Sequence, residues 1–132
     1  MKIIADTNIL VRAVVRDNEK QANAADNILR NATLIAVSPP CLCEFAWVLQ
    51  RLYRFDAMSV AQAIRALLDT EKVVMNRPAV EAGLAILEAG GDFADGVMAY
   101  EGNWLGGEIF VSFDKNATKL LAAQGQSVHV PG

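Results

Sequence analysis

The chain predicts an α/β fold in three layers, a central parallel sheet between helices, and three observations carry that expectation. Short β-branched or apolar runs alternate with longer segments whose apolar residues recur at helical spacing, the pattern of βαβ units. Hydrophobic residues form 53% of the sequence against 20% charged, enough apolar surface to order the chain. Its 132 residues fall in the range of one domain with a sizeable core, so residues 1–132 are read as a single domain.

Each element has its own signal. Lys2-Ile3-Ile4-Ala5 suits a short buried parallel strand. Asp6-Thr7-Asn8 ends it with three good turn or cap residues. A helix follows with Ile9, Leu10, Ala13 and Val14 on one face, and a second runs from Asn18 to Asn31 on Ala22, Ala25, Ile28 and Leu29. Thr33 to Val37 is β-branched and apolar, hence a strand. Ser38-Pro39-Pro40 breaks the chain and opens a helix through Glu44 to about Tyr53, since proline is tolerated in a first turn. Ser59 is read as the cap of a helix through Ala61, Ile64, Leu67 and Leu68. Val73 to Met75 is a short strand, and Arg77-Pro78 opens a helix closed by Gly90-Gly91. A helix from Asp92 contains Val97 to Tyr100, and Asn103 to Gly107 reads as a loop. Ile109 to Phe113 is a strand, Lys115 to Ala123 a helix stopped by Gly125, and Val128 and Val130 mark a last strand.

Composition excludes several chemistries. No apolar run approaches the ~20 residues of a membrane span, and Asp6 and Arg12 interrupt the stretch that a secretory signal would need. The expected location is cytoplasmic, with no membrane partner. Cys41, Cys43 and the single histidine, His129, are too few for a four-ligand zinc framework. The two cysteines are read as small buried hydrophobes, and His129 has no nucleophile motif around it. No phosphate-binding glycine loop is present.

The chemistry-bearing feature is a set of acids spaced far apart in sequence at the ends of predicted strands or in the helix turns that follow: Asp6, Glu44, Asp95 and Asp114. In an open parallel sheet, ligands bind at the carboxyl ends of the strands. Carboxylates delivered there suit Mg²⁺ or Mn²⁺, which take oxygen ligands together with water and phosphate. Each acid also has a plain structural role open to it: Asp6 and Asp114 as helix caps, Glu44 and Asp95 as early helix residues favoured by the dipole. Asp92, three residues before Asp95, is read first as the cap of its helix and second as an outer-shell partner of a metal. Thr7, Asn8 and Ser112 are candidates for orienting carboxylates or metal-bound water. The net charge of −3 argues against a broad surface for coating nucleic acid. Setting aside the four acids removes four negative charges and leaves +1 for the rest. Bound divalent cations then make the cleft locally positive.

Asp6-Thr7-Asn8 after the first strand, Glu44 on the helix after the second, Asp92-Phe93-Ala94-Asp95, and Ser112-Phe113-Asp114 before the last helix together resemble a PIN-domain ribonuclease. The likeness is nearest to the toxins of VapBC toxin–antitoxin modules and covers nearly the whole chain. Asn103, Trp104, Gly106 and Gly107 follow no diagnostic pattern. The resemblance implies that Asp6, Glu44, Asp95 and Asp114 surround one or two Mg²⁺ or Mn²⁺ ions, with Asp114 the most variable of the four in role. It further implies endonucleolytic cleavage of a structured RNA such as a tRNA loop, leaving a 5′-phosphate and a 3′-hydroxyl. The implied partners are the RNA, a cognate antitoxin protein and a second copy of the chain. Arg12, Arg16 and Lys115 are candidates for gripping the substrate, with Arg51, Arg54 and Lys119 behind them. Apolar surface around Phe45, Trp47, Leu49, Leu52 and Tyr53 exceeds one core face and offers a protein contact.

Three other readings stay open: a metal-dependent phosphatase or phosphoryl-transfer domain, a housekeeping RNA-processing nuclease, and a non-catalytic binding module. The first fits less well because the position two residues after Asp6 is Asn8, where a haloacid-dehalogenase phosphatase has a second aspartate. The last is disfavoured by the presence of all four acids.

Overall fold

Seven helices and five strands succeed one another in the order the sequence predicts. The computed structural model describes residues 1–132 and divides into two compact units, Met1–Asn76 and Arg77–Gly132.

Unit 1 contains β1 (Lys2–Ile4), α1 (Thr7–Val14), α2 (Glu19–Asn31), β2 (Leu34–Ala36), α3 (Pro39–Arg51), α4 (Ala57–Leu68) and β3 (Val73–Val74). The three strands form a parallel sheet in the order β1-β2-β3, with Ile3 opposite Ile35 and Ile35 opposite Val73. Because side chains alternate across a strand, Ile35 and Val73 turn into the core while Ile4, in the next row, stands 85% exposed. The core is completed by Leu10 and Val11 of α1, Leu42, Phe45 and Leu49 of α3, and Val60 and Ile64 of α4. The apolar surplus on α3 divides accordingly: Phe45 and Leu49 are buried, Trp47 and Leu52 exposed.

The helix starts follow capping chemistry. The Asn18 side chain accepts the Gln21 N–H, and Ser38 accepts the Cys41 N–H ahead of Pro39. The predicted cap of α4 is corrected: Asp56, not Ser59, begins the helix, its Oδ1 accepting the Ser59 N–H at 2.8 Å. Asp and Ser cap about equally well, but Ala57 and Met58 are helix formers, so the earlier start gains a turn. Ser59 also holds the Asp56 carboxyl below its ordinary value through its side chain and its amide. A depressed folded-state value contributes stability at neutral pH that is lost as pH falls through it. Asp56→Ala is therefore expected to lower the thermal midpoint at neutral pH, with the gap closing in acid. Melting curves at pH 7 and pH 3 check this, and an equal gap at both would show that the charge plays no part.

Unit 2 contains α5 (Arg77–Glu88), α6 (Phe93–Trp104), β4 (Ile109–Val111), α7 (Lys115–Ala123) and β5 (Ser127–His129). Strands β4 and β5 pair in parallel, Phe110 opposite Val128. Those two pack with Leu120 against buried Ile86, Ala99 and Leu121. Three boundaries differ from the sequence reading. Strand β4 stops at Val111, two residues short of Phe113. Helix α6 runs on through Asn103 and Trp104, which were expected in a loop. It stops at Leu105, whose N–H bonds back to the Glu101 and Gly102 carbonyls, with Gly106 at φ +104° beyond. The last strand begins at Ser127 and ends at His129. Between α5 and α6 the backbones approach closely at Gly83 and Gly96. No helix in the structure is long and apolar enough to cross a membrane.

Candidate active site

In unit 1 the chain ends β1 and β2 on the same side, where α1 and α3 begin. An open cleft of ≈ 390 Å³ lies there, and Asp6, Thr7, Ser38, Cys41 and Glu44 are among its lining. Asp6 occupies the N-cap position of α1 in extended geometry, yet its side chain takes no cap hydrogen bond. The capping role open to it in the sequence is thus not used, and both carboxylate oxygens remain available to the cleft. Glu44 lies in the second turn of α3 with an exposed side chain. Asn8 is likewise exposed.

Thr7 is buried, and its hydroxyl donates to Cys41 Sγ at 3.8 Å across 34 residues of sequence. The contact ties the start of α1 to the start of α3 and so fixes the two helices that carry Asp6 and Glu44. Cys41, read from the sequence only as a small buried hydrophobe, is buried but also lines this cleft. Burial pushes its thiol up, and the fields of Asp6 and Glu44 add to this against the Thr7 hydrogen bond. It is therefore a neutral thiol at pH 7. Its position three residues before Glu44, on the same helix face, was the signal that links it to the cleft.

In unit 2 the acids gather at the starts of α6 and α7. Asp92 holds the N-cap position of α6, as expected, although its side chain makes no cap bond. Asp95, in the first turn, is half-buried. Burial raises its carboxyl above the ordinary range, and the negative charges of Asp92 and Asp114 raise it further. Asp114 does cap α7, its Oδ1 accepting the Ala117 N–H at 3.0 Å. Ser112 Oγ in turn accepts the Asp114 N–H at 3.0 Å. Ser112 thus fixes the backbone at Asp114 directly.

Two of the basic candidates are already engaged. Arg12 pairs with Asp17 at 2.8 Å and donates to the Tyr53 hydroxyl, which itself bonds Asp17. Arg16 pairs with Asp26 at 2.9 Å and donates to Asn23. Both ion pairs hold α1 and the turn after it to neighbouring elements. Lys115, Lys119, Arg51 and Arg54 are exposed.

In neither unit do three His, Cys, Asp or Glu side chains form a group arranged to hold a metal ion. The chemistry of the donors nonetheless fits a hard divalent cation. They are carboxylates without competing ion pairs, and the repulsion that lifts Asp95 is of the kind a cation relieves.

Comparison with known proteins gives one family: the PIN domain, whose family description matches residues 3–120. No curated protein matches the chain.

Proposed function

The chain belongs to the PIN domain family, whose members are typically metal-dependent nucleases, and from that premise we propose that it is a Mg²⁺- or Mn²⁺-dependent endoribonuclease acting as the toxin of a toxin–antitoxin pair. The observation that carries the reading is the state of its acids. Asp6 stands at a strand end with no capping bond, and Asp95 is held half-buried against two like charges. Carboxylates left unpaired or crowded by like charge cluster at functional sites, and a bound cation offsets their repulsion.

In unit 1, Asp6 and Glu44 are the carboxylates assigned to metal binding, with Thr7 and Asn8 beside Asp6; in unit 2 they are Asp95 and Asp114, with Asp92 and Ser112 beside them. Once bound, the cation lowers the pKa of coordinated water and offsets charge on the phosphate oxygens. In the reaction, a water oxygen joins phosphorus, the P–O3′ bond breaks, and a water proton ends on the leaving 3′-oxygen. The products carry a 5′-phosphate and a 3′-hydroxyl. The only histidine, His129, lies on β5, and no step calls on it. Exposed Lys115 and Lys119 on α7 are the cations that would meet phosphate. Exposed Trp47 on α3, Leu52 just past its end and Met58 on α4 offer the apolar surface for an antitoxin segment or a second copy. The protein acts in the cytoplasm, where a structured RNA such as tRNA is its substrate.

Incubation of purified chain with total RNA and a tRNA pool, with Mg²⁺, Mn²⁺ or EDTA and an Asp6→Asn control, tests this. Discrete fragments that need the cation and vanish in the variant are expected. Intact RNA under every condition, with cation binding verified and any co-purified inhibitor removed, would overturn it.

A further inference from the structure

Helix α3 meets solvent along one narrow stripe. Cys41, Leu42, Phe45, Ala46 and Leu49 are buried, and the exposed residues of the helix are Pro40, Glu44, Trp47 and Arg51. Steps of four, three and four residues set these on one face. The stripe begins in the acid cleft of unit 1, which Pro40 and Glu44 line, and leaves it along the helix axis. Trp47 stands about 4.5 Å beyond Glu44 along that axis and Arg51 about 10.5 Å beyond it. A solvent stripe is normally polar, yet the middle of this one holds a tryptophan that is 54% exposed. A lone exposed apolar residue needs no explanation. This one lies between a candidate metal-binding carboxylate and an arginine.

The turn after the helix adds a second observation. The Phe55 N–H bonds the Leu49 carbonyl at 3.0 Å, and Arg54 ahead of it takes φ 59°. This is the left-handed position that closes a helix, where glycine fits without strain. Arg54 is the one residue other than glycine at positive φ, and its side chain is exposed. Backbone strain gathers at functional positions, and here it is kept at a surface cation. Unlike Arg12 and Arg16, Arg51 and Arg54 are spent on no ion pair. An acid cleft, an exposed aromatic ring and two unspent guanidinium groups thus follow one another along α3. Single-stranded nucleic acid presents the complement: flat bases that stack on aromatic rings, and phosphates that meet cations. Continuity with the cleft favours RNA over a protein partner. A strand whose phosphate is held at the acids must leave the cleft over a neighbouring surface, and α3 supplies ring and charge in that direction.

We propose that Trp47, Arg51 and Arg54 form the track along which single-stranded RNA leaves the acid cleft, with Trp47 stacking one base and the two arginines meeting phosphates. The inference rests on the nuclease reading and deepens it. Every base offers a stacking face, so the track is indifferent to sequence. It selects unpaired RNA over duplex, whose bases are already stacked on one another. A protein seated on Trp47 competes with the RNA.

Binding in EDTA separates recognition from cleavage. The probe is a fluorescent single-stranded oligouridylate, with the same strand annealed to oligoadenylate as the duplex control, followed by anisotropy with the full chain. The single strand is expected to bind more tightly than the duplex. Trp47→Ala should weaken it by about 5- to 150-fold, the loss of one stack, and Trp47→Phe should keep most of the affinity. Arg51→Gln and Arg54→Gly should each lower the slope of log affinity against log salt by about 0.7, one phosphate contact on a single strand. Arg54→Gly should also melt above the parent, so that its loss of binding does not come from a damaged fold. In a Trp104→Phe background, the emission of Trp47 should be quenched as the strand is added. No binding, equal or tighter binding of the duplex, unquenched emission, or variants that bind like the parent would overturn the track. A lower mass of Trp47→Ala by light scattering, with RNA affinity unchanged, would give the surface to a second copy instead. Parallel cleavage assays keep the two readings apart. The expected binding pattern without any RNA cleavage removes the nuclease and leaves the track. Cleavage at unchanged KM in Trp47→Ala and Arg51→Gln removes the track and leaves the nuclease.

Discussion

Asp95→Asn should lose RNA cleavage by more than about 100-fold, the upper end of what even outer partners of a metal site contribute, while the folded chain becomes more stable. The second half follows from the sign of the shift. Burial and the charges of Asp92 and Asp114 hold the Asp95 carboxyl above its ordinary value, so the folded state binds the proton more tightly than the unfolded one. Stability then falls as pH rises from the ordinary carboxylate value through the raised one. At neutral pH the charged form is carried at a penalty, and asparagine removes it. The gain is below about 1 kcal/mol, because a half-exposed charge is screened by solvent and salt. Without divalent cations the variant should melt above the parent at pH 7, and the difference should vanish below about pH 3.9. With Mg²⁺ or Mn²⁺ the order should reverse, since only the intact site gains from binding, by about 2.7 kcal/mol at a hundredfold excess over Kd. Retained cleavage would remove Asp95 from the site. A lower melting point at pH 7 without cations would show that its carboxylate makes a favourable contact instead.

The sequence reading succeeds where chemistry is local and stops where it depends on contacts across the chain. Periodicity placed every helix and strand in order, because amphipathic spacing reports which face a segment buries. Asp6 marked the end of β1 to within a residue, whereas β4 stops at Val111, two residues before the run that Asp114 closes. Local ambiguity produced the displaced cap at Asp56, where two good cap residues stand three apart. Other features lay beyond any window. Arg12 meets Tyr53 across 41 residues, and Thr7 meets Cys41 across 34. Nothing near Arg12 in sequence announces its contact with Tyr53. Asn103, expected in a loop that runs to Gly107, lies in α6. Its amide network with Gln126 exists only because β5 returns beside α6. The acids themselves were recognisable by position. Their environments were not: Asp114 spends one oxygen on a cap while Asp6 spends none, a difference set by backbone geometry.

The largest effect on stability is expected from one added methyl group at Gly96. A Cβ there would collide with the carbonyl oxygen of Ala82 and lie 2.8 Å from Gly83 Cα, both backbone atoms of α5. Neither can swing aside, so α5 and α6 must separate, and Val80, Leu84, Leu87 and Phe93, all buried, lose packing with them. Overpacking a core costs about 1–3 kcal/mol when side chains can yield. Here the helices themselves must move, so Gly96→Ala should cost about 3 kcal/mol or more, a large part of a domain's ~5–15 kcal/mol. Gly83→Ala meets the Phe93 ring at 2.7 Å instead of backbone, and should cost less because a ring can shift. Gly102, also in α6, has nothing within 4 Å of its missing Cβ. Gly102→Ala should stabilise by roughly 0.4–1 kcal/mol through the unfolded chain. Urea unfolding of the three variants, compared at constant m, tests the order. A Gly96→Ala midpoint equal to that of the parent would mean that the two helices do not cross this closely in solution. Asp95 precedes Gly96 directly, so the same close approach that stabilises the unit also positions its half-buried carboxylate. Cleavage should therefore fall in Gly96→Ala even at temperatures where the variant remains folded.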